Sequence, residues 1–305
     1  MSPRLLVVGE ALVDIVSDPR GATAEHVGGS PANVAVGLAR LDHPVALATW
    51  LGRDERGARI TEHLARHGVG VLPGSYGDTP TSTAVATLDV LGAATYEFDL
   101  HWELPSIEVP EDVRHVHIGS LGAVLEPGAA AVRAAIADVH HRCTTSYDPN
   151  VRPGIMGDPD ALRAQVEDHV GRSDVVKASE DDLQALYAGL SPQQVMDRWV
   201  GLGTSLAVVT LGGDGVVFRV ASDARPRRAA TRAQRVVDTV GAGDSFMAGL
   251  VSGLVSAGLL GDPAARDRLR GATLEDVQAA VDRGLATSGV TVGRAGAYAP
   301  SLDEL

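Results

Sequence analysis

Short apolar runs alternate with longer amphipathic segments along most of the chain. An aliphatic run at residues 5–8 ends at Gly9 and predicts a buried first strand. From about residue 112 the alternation becomes regular, and apolar runs predict strands at residues 116–118, 144–147, 175–177 and 206–211. Segments of helical periodicity separate these runs. The pattern predicts βαβ units and an α/β architecture, in which helices cover both faces of a mainly parallel central sheet.

Helix-start signals and apolar periodicity locate the helices. Ser30 is suited to cap a helix that Pro31 would begin, because proline fits the first helical position. Segment 258–271 contains Pro263 and several charges, which predicts an exposed excursion, and the arginine-rich segment 225–235 predicts a solvated connection. The expected helices cover residues 31–41, 55–67, 127–141, 158–170, 242–257 and 273–288, with two more starting at 179 and 192.

Two regions break this rhythm, residues 11–27 and residues 82–100. The second contains two apolar runs on either side of Leu91-Gly92, which predicts a hairpin. We interpret both regions as strands of a small β-sheet beside the main sheet, in the position of a lid. The whole chain, residues 1–305, is then one domain that carries this lid.

Composition and charge narrow the possible functions. The formal net charge of −13 argues against a nucleic-acid partner or an anionic membrane surface, although backbone amides or a metal ion can still bind an anionic small ligand. Cys143 is the one cysteine, so neither an intrachain disulfide nor a thiolate zinc site is expected. The first apolar run is too short for a signal peptide or a membrane helix, which favours a cytoplasmic location.

The strongest local motif is Asp-Thr-Val-Gly-Ala-Gly-Asp-Ser-Phe at 238–246, which leads into an apolar helix. The amides of Gly241, Ala242 and Gly243 would lie at the helix N-terminus, where free N–H groups and the helix dipole attract anions such as phosphate. Asp244 follows in the first turn, where its carboxylate could accept the proton of an attacking hydroxyl. A tight turn before a favourable first-turn carboxylate would produce the same pattern.

A second motif is Gly-Gly-Ser-Pro-Ala-Asn at 28–33. Gly28 and Gly29 allow the backbone to approach a ligand closely, and the amide of Asn33 can both donate to and accept from a sugar hydroxyl. Asp14 follows the first strand, at the sheet edge where α/β proteins bind ligands, and could accept two hydroxyl hydrogen bonds. The alternatives are a glycine turn before a helix and a surface carboxylate at a turn.

The stretches GGSPANVAVGLARLD (28–42) and DTVGAGDSF (238–246) resemble the two signature stretches of the ribokinase/PfkB carbohydrate kinases, in the same order and also widely separated. The resemblance implies an ATP-dependent sugar kinase with a ribokinase-like fold, a three-layer α/β/α sandwich with a β-sheet lid. It also implies ATP and Mg²⁺ as cofactors, K⁺ in many members, and homodimers joined through the lid. A sugar and ATP would be the small-molecule partners.

The same resemblance implies roles for four groups of residues. The catalytic base would be Asp244, and the anion hole would be formed by Gly241, Ala242 and Gly243. The sugar would be held by Asp14, Gly28, Gly29 and Asn33. The nucleotide would contact Thr210, Gly212 and Gly215, with Ser288 and the loop at 290–296 around the adenine. In many members a monovalent cation is held by backbone oxygens, which here would lie near Asp238, Val240 and the loop at 290–296.

One segment departs from the family pattern. Many ribokinase-like members carry Asn-x-x-Glu near the magnesium ion and the phosphates, whereas this chain has Lys177-Ala178-Ser179-Glu180, similar to the Lys-x-Ser-Asp/Glu of fructokinase-like members. Lys177 could reach a phosphate, and Glu180 could orient magnesium through water. Ser179 could also cap a helix whose first turn is acidic, and both roles are compatible.

Several segments indicate which sugar is the substrate. Phe98 could cover the apolar face of a sugar or only pack the lid. The segments that look fructokinase-like are 28–33, 96–98 and 117–121. We therefore predict that D-fructose is converted to fructose 6-phosphate.

His115 and His117 lie on one face of a predicted strand, where burial is favoured over a metal pair.

The segment Asp-Pro-Asn-Val-Arg at 148–152 resembles a motif of fructokinases and 2-keto-3-deoxygluconate kinases. Arg152 would clamp a phosphate, or else pair with Asp148 as a loop arginine. The alternatives to a fructokinase are a 2-keto-3-deoxygluconate kinase, another PfkB-type sugar or nucleoside kinase, and a non-catalytic sugar- or nucleotide-binding protein. An anionic sugar acid would need an additional cation at the sugar end of the cleft, and the sequence shows no unambiguous one.

Overall fold

The computed structural model describes residues 4–17, 22–88 and 94–305. The strands are β1 (Arg4–Val8), β2 (Leu12–Ser17), β3 (Thr23–Gly28), β4 (Val45–Ala48), β5 (Leu51–Gly52), β6 (Val69–Val71), β7 (Tyr76–Gly77), β8 (Thr83–Leu88), β9 (Ala94–Asp99), β10 (Val113–Gly119), β11 (Thr144–Asp148), β12 (Val175–Ser179), β13 (Leu206–Thr210), β14 (Val216–Val220) and β15 (Arg227–Ala229). The helices are α1 (Ser30–Arg40), α2 (Glu55–Arg66), α3 (Ser120–Val124), α4 (Gly128–Val139), α5 (Pro159–Gly171), α6 (Glu180–Leu186), α7 (Pro192–Leu202), α8 (Ala242–Ser256), α9 (Ala265–Arg270) and α10 (Leu274–Thr291).

The main sheet confirms the predicted mainly parallel architecture. Its strand order is β15-β14-β13-β12-β11-β10-β1-β4-β6. All neighbours from β6 to β13 run parallel, while β14 and β15 add an antiparallel edge. The carboxyl ends of the parallel strands therefore meet at one edge of the sheet, which is where ligands bind in folds of this kind.

Helices cover both faces of this sheet and complete the predicted three layers. Along β1, Leu5 and Val7 belong to one buried cluster, while Leu6 and Val8 belong to the other, because successive strand side chains point to opposite faces. The first cluster packs against α1, α2, α8 and α10, and the second against α4, α5, α6 and α7. None of the described helices combines the length and apolar character that crossing a bilayer requires.

A second, four-stranded sheet has the order β3-β2-β8-β9. Strand β2 pairs antiparallel with β3 and parallel with β8, so the regions predicted at 11–27 and 82–100 do form one separate sheet. The expected turn at Leu91-Gly92 lies outside the described residues. Because β2 starts shortly after β1 and β3 leads directly into α1, this sheet stands beside the carboxyl edge of the main sheet.

One prediction about a connecting segment was wrong, and a second was incomplete. Segment 258–271 is not an exposed excursion, because it contains α9 and buries Leu259, Leu260 and Leu269 against the main core. Its Arg266 reaches Asp174 with an Nε–Oδ1 distance of 2.7 Å and so ties the segment to the sheet. The segment 225–235 is exposed or half-buried throughout, as a solvated connection requires, but its strand β15 also extends the main sheet. Charged side chains between residues 262 and 270 obscured the packing role of the first segment.

Candidate active site

A cavity of about 670 Å³ lies where the carboxyl ends of the parallel strands face the four-stranded sheet. It is lined by residues at or just after the ends of β1, β10, β11, β12 and β13, and by the beginnings of α1 and α8. The predicted site residues that it brings together are Asp14, Gly29, Asn33, Phe98, Arg152, Lys177, Glu180, Thr210, Gly212, Val240, Gly241, Gly243 and Asp244. Those outside its lining are Gly28, Gly215, Asp238, Ala242 and Ser288.

Asp244 joins the two motifs that the sequence placed more than 200 residues apart. Its Oδ1 accepts a hydrogen bond from Ser30 Oγ at 2.6 Å, and its Oδ2 accepts one from Asn33 Nδ2 at 2.8 Å. The carboxylate lies in the first turn of α8, is 8% exposed and faces the cavity. Two donors therefore hold one buried carboxylate in a defined orientation beside the cavity.

The predicted capping role of Ser30 was wrong. The cap residue of α1 is Gly29, with a φ of 103°, and no side chain caps this helix. Ser30 is instead the first helical residue, so its hydroxyl is available to Asp244. Glycine suits position 29 because its φ is positive. It is also required for space, because a Cβ there would lie 2.6 Å from the carbonyl oxygen of Glu10.

The residues predicted to bind an anion lie at the start of α8. Gly241 adopts a left-handed conformation with a φ of 74° and lies at the cap position, and Gly243 follows in the first turn. Both line the cavity at the positive end of the helix dipole. Ala242 differs from the prediction, since its amide donates to the carbonyl of Thr239 at 3.2 Å.

Lys177, which lines the cavity, forms a buried ion pair with Asp148 behind it. Lys177 Nζ donates to Asp148 Oδ2 at 2.8 Å, and the two side chains are 5% and 2% exposed. Burial raises the pKa of Asp148 to about 6 against the lowering effect of the Lys177 charge. The suggested pairing of Arg152 with Asp148 was therefore wrong, and Arg152 Nη1 instead donates to Asn150 Oδ1 at 2.7 Å.

The segment at the end of β12 forms the helix cap that the sequence suggested, and it borders the cavity. Ser179 caps α6 in a capping box with Asp182, as the second interpretation predicted. Asp182 was not singled out from the sequence, although its Oδ1 also accepts from the amide of Val151 at 2.6 Å and thereby joins two cavity loops. Glu180 lies on the exposed side of the same turn and lines the cavity.

A magnesium ion would be held here mainly by phosphate oxygens and water. Within the described ranges, no group of three or more His, Cys, Asp or Glu side chains is arranged to hold a metal ion. Mg²⁺ in kinase sites commonly uses only one or two carboxylates together with substrate phosphates. The exposed carboxylate of Glu180 fits that requirement, since it lines the same cavity as Gly241 and Gly243.

The residues predicted to contact the nucleotide do not all line the cavity. Thr210 and Gly212 line the cavity at the end of β13, whereas Gly215 makes room for protein, since a Cβ there would lie 2.1 Å from the Ala229 carbonyl oxygen. Ser288 lies within α10 and donates to the carbonyl of Leu285 at 3.3 Å. The predicted adenine loop therefore begins as the last turn of α10.

Asp238 connects the two loops from which the predicted cation oxygens come. Its carboxylate accepts from the amide of Val240 at 3.0 Å and from that of Gly296 at 2.8 Å. These backbone hydrogen bonds lower the pKa of Asp238. The side chain thus holds the loop before α8 against the loop after α10, and Val240 reaches the cavity.

Carboxylates also line the cavity where the chain passes from β1 into the four-stranded sheet. Glu10, to which the sequence analysis assigned no role, is 6% exposed, and its Oε2 accepts from the amide of Gly122 at 2.9 Å. Burial raises the pKa of Glu10 to about 7. Burial also raises the pKa of Asp14, and the charges of His26 and Arg152 oppose this rise. A carboxylate directly after the first strand was the signal that could have identified Glu10.

The raised pKa of Glu10 gives a testable dependence of stability on pH. The folded state binds this proton more tightly than the unfolded chain, whose value is 4.5, so stability falls as pH rises from 4.5 through about 7. Replacing Glu10 with glutamine removes the titration. In the unaltered protein the unfolding free energy should fall between pH 5 and pH 8. We expect this fall to be smaller by about 2 kcal/mol in the variant.

Chemical denaturation at the two pH values measures this difference. The exposed Glu62→Gln serves as the matched control and should leave the difference as it is in the unaltered protein. A Glu10→Gln variant that keeps the full pH dependence would show that Glu10 does not hold its proton in the folded state.

His115 and His117 lie in the interior of β10, as the sequence favoured. Both rings hydrogen-bond to Ser146 Oγ at 2.9 Å, and His115 also bonds to Thr144 Oγ1 at 2.9 Å. Burial lowers the pKa of each histidine to about 3, so both rings are neutral near pH 7. They serve as polar partners inside the sheet.

Comparisons with known proteins identify the family of this chain. The family model described as pfkB family carbohydrate kinase matches residues 2–304. A fructokinase of Klebsiella pneumoniae is 31% identical over 274 residues, which cover 85% of this chain and 87% of that protein. An ATP-dependent 6-phosphofructokinase of Thermoanaerobacterium thermosaccharolyticum is 29% identical over 265 residues, 82% of this chain and 81% of that protein.

A solved structure shows the same fold. A double mutant of the fructokinase from Vibrio cholerae O395, in its fructose, ADP and potassium ion bound form, superimposes with a TM-score of 0.81. The two chains are 25% identical, and the match covers 99% of this chain and 97% of that chain.

Proposed function

Since this chain belongs to the pfkB family of carbohydrate kinases and is an ATP-dependent sugar kinase, we propose that it phosphorylates D-fructose at the 6-hydroxyl. The observation that carries the proposal is the carboxylate of Asp244, which Ser30 and Asn33 hold at the start of α8. A base, an anion-binding helix start and a hydroxyl-binding amide lie together in one cavity.

The proposed reaction is direct transfer to the sugar. Asp244 accepts the proton of the attacking sugar hydroxyl while the oxygen of that hydroxyl forms a bond to the γ-phosphorus of ATP. The bond between the γ-phosphorus and the bridging oxygen breaks, and that oxygen leaves with ADP. The amides at Gly241 and Gly243 stabilise negative charge on the transferred phosphoryl oxygens. A bound magnesium ion would supply further charge neutralisation, and Glu180 would orient it through water.

The charge of the cavity lining supports a neutral acceptor. Among the lining residues that the structure describes, the cations are Arg152 and Lys177, and Lys177 is already paired with Asp148. Asp14 and Asp244 lie at the acceptor end. An anionic sugar would meet like charges there, so fructose is favoured over 2-keto-3-deoxygluconate.

One residue supports a second candidate, an anionic acceptor. Arg152 lines the cavity, and its positive charge opposes the rise that burial causes in the pKa values of Glu10 and Asp14. A sugar acid or a sugar phosphate could pair with this guanidinium. The similarity to a protein named as a 6-phosphofructokinase makes fructose 6-phosphate part of the test.

We further propose that the four-stranded sheet is the lid of this site. Leu12, Asp14, Ala84 and Phe98 of this sheet line the cavity. Phe98 is 41% exposed and could lie over the apolar face of a bound sugar, which would exclude water from the reaction. The potassium ion in the Vibrio cholerae complex supports a monovalent cation near Asp238 and Val240.

ADP release measured against a sugar panel tests the function. The panel contains fructose, 2-keto-3-deoxygluconate, fructose 6-phosphate and ribose, each with ATP, Mg²⁺ and K⁺. We expect the highest kcat/KM with fructose and a 6-phosphate ester as product, identified by ³¹P NMR. A preference for either anionic sugar would select the second candidate. Absence of sugar-dependent ADP release with every member would support a non-catalytic binding protein.

A further inference from the structure

The ion pair between Lys177 and Asp148 lies between adjacent parallel strands. Asp148 is the last residue of β11, and Lys177 lies near the end of β12, where the register pairs Tyr147 with Val176. Their side chains therefore leave the sheet together at its carboxyl edge. At 5% and 2% exposure they are almost entirely removed from water, so each charge depends on the other for compensation.

The ammonium of Lys177 lies directly beneath the start of α8. A Cβ built on Gly243 would come within 2.9 Å of Lys177 Nζ, so the missing side chain of Gly243 makes room for this cation. Lys177 also lines the cavity together with Gly241 and Gly243. The helix start and the ammonium thus face the same point, at which the proposed function puts the transferred phosphoryl group.

The groups that face Lys177 determine its charge. Burial lowers the pKa of Lys177, but the charges of Asp148, Asp182 of α6 and Asp244 of α8 raise it above its ordinary value overall. His117 of β10 also faces it and is neutral. Lys177 is therefore a protonated cation with carboxylates on several sides, and the catalytic candidate Asp244 is one of them.

Asp148 and Asp244 are therefore alternative partners for the ammonium of Lys177. An ammonium paired with Asp244 would cancel the negative charge that the base needs in order to accept a proton. The hydrogen bond to Asp148 instead holds the ammonium of Lys177 beside the end of β11. Asp148 does not line the cavity, so it can only influence a bound ligand through its neighbours.

We propose that Asp148 is a positioning residue that keeps Lys177 protonated, directed at the start of α8 and separate from Asp244 during phosphoryl transfer. This inference rests on the proposed function, because it assigns Lys177 to the phosphoryl group that the cavity receives. It adds a residue that contacts neither the sugar nor ATP.

The test compares Asp148→Asn with the unaltered protein. The variant should lower kcat at pH 7.5 by about tenfold, since Lys177 is no longer held in place. The KM for the sugar should remain unchanged. Without the Asp148 charge, burial lowers the pKa of Lys177, so the basic limb of the kcat–pH profile should move down by about one pH unit or more.

Asp174→Asn is the matched control, because Asp174 also forms a buried ion pair at the sheet but lies outside the cavity. It should reduce stability while leaving the kcat–pH profile unchanged. In the Lys177→Met background, Asp148→Asn should have no further effect on kcat, because both substitutions remove the same interaction. Equal effects of Asp148→Asn in both backgrounds would overturn the inference.

Two further outcomes are decisive. If the unaltered protein releases ADP with a sugar but folded Asp148→Asn keeps its kcat and its pH profile, the inference fails while the proposed function stands. If Asp148→Asn does not fold, Asp148→Glu decides, because it retains the charge. If the basic limb of the kcat–pH profile of Asp148→Glu lies at the same pH as in the unaltered protein, the inference is supported. If that limb lies at a lower pH, the inference is contradicted.

Discussion

Replacing Asp244 with asparagine should lower kcat by about 10²- to 10⁴-fold, the range that a positioned general base contributes. Asparagine has nearly the same shape, so α8 and the contacts to Ser30 and Asn33 should largely persist. The variant cannot take the proton of the attacking hydroxyl, and it also lacks the negative charge that polarises that hydroxyl. The KM for the sugar should change far less than kcat.

The measurement is steady-state ADP release with the preferred sugar, together with a thermal melt of each protein. Asp181→Asn provides the control, because Asp181 also lines the cavity and the substitution removes the same charge. We expect this control to stay near the unaltered rate. An Asp244→Asn variant that retains most of its turnover would remove Asp244 as the base, and with it the main support for the proposed mechanism.

The second large effect is expected at Gly28. A Cβ at this position would lie 2.0 Å from Asp14 Oδ2 and 2.9 Å from its Cγ, because Gly28 ends β3 directly beside β2. Alanine would therefore force the Asp14 carboxylate away from the cavity. Losing two hydrogen bonds from sugar hydroxyls to a charged acceptor should lower kcat/KM by about 10²-fold, mostly through KM.

Two comparison variants separate this effect from a general glycine effect. Gly70→Ala adds the same methyl group to a strand of the main sheet at a point where no atom lies within 4 Å, so it should leave kcat/KM unchanged. Asp14→Asn should reproduce the Gly28→Ala defect in sugar KM. If Gly28→Ala binds the sugar normally while Asp14→Asn does not, the crowding of Asp14 is not the cause.

Local structure followed from the sequence where neighbouring residues decide it. The periodic segments became α1, α2, α5 and α8 within a few residues of the predicted bounds, and the apolar runs became β10 to β13. The capping sequence at Ser179 forms the expected helix start. Such features depend on side chains one turn apart, so they can be predicted before the chain is folded.

The composition of the site was only partly predictable. The glycines and the acidic and amide side chains of the two motifs were recognisable, since phosphate and hydroxyl binding require these residue types. Glu10 gave a weaker signal, because a carboxylate after a strand is usually exposed. Its burial depends on the amide of Gly122, which lies 112 positions away.

The amino-acid sequence by itself determined most of the strands and helices and which chemical groups stand at their ends. Tertiary structure alone decided that Ser30 and Asn33 meet Asp244, across 214 and 211 positions, and that Asp148, not Asp244, pairs with Lys177. The physical reason is the sheet order. Parallel strands that are distant in the chain end at one edge, and α1 packs on α8, so these groups become neighbours only after the layers assemble.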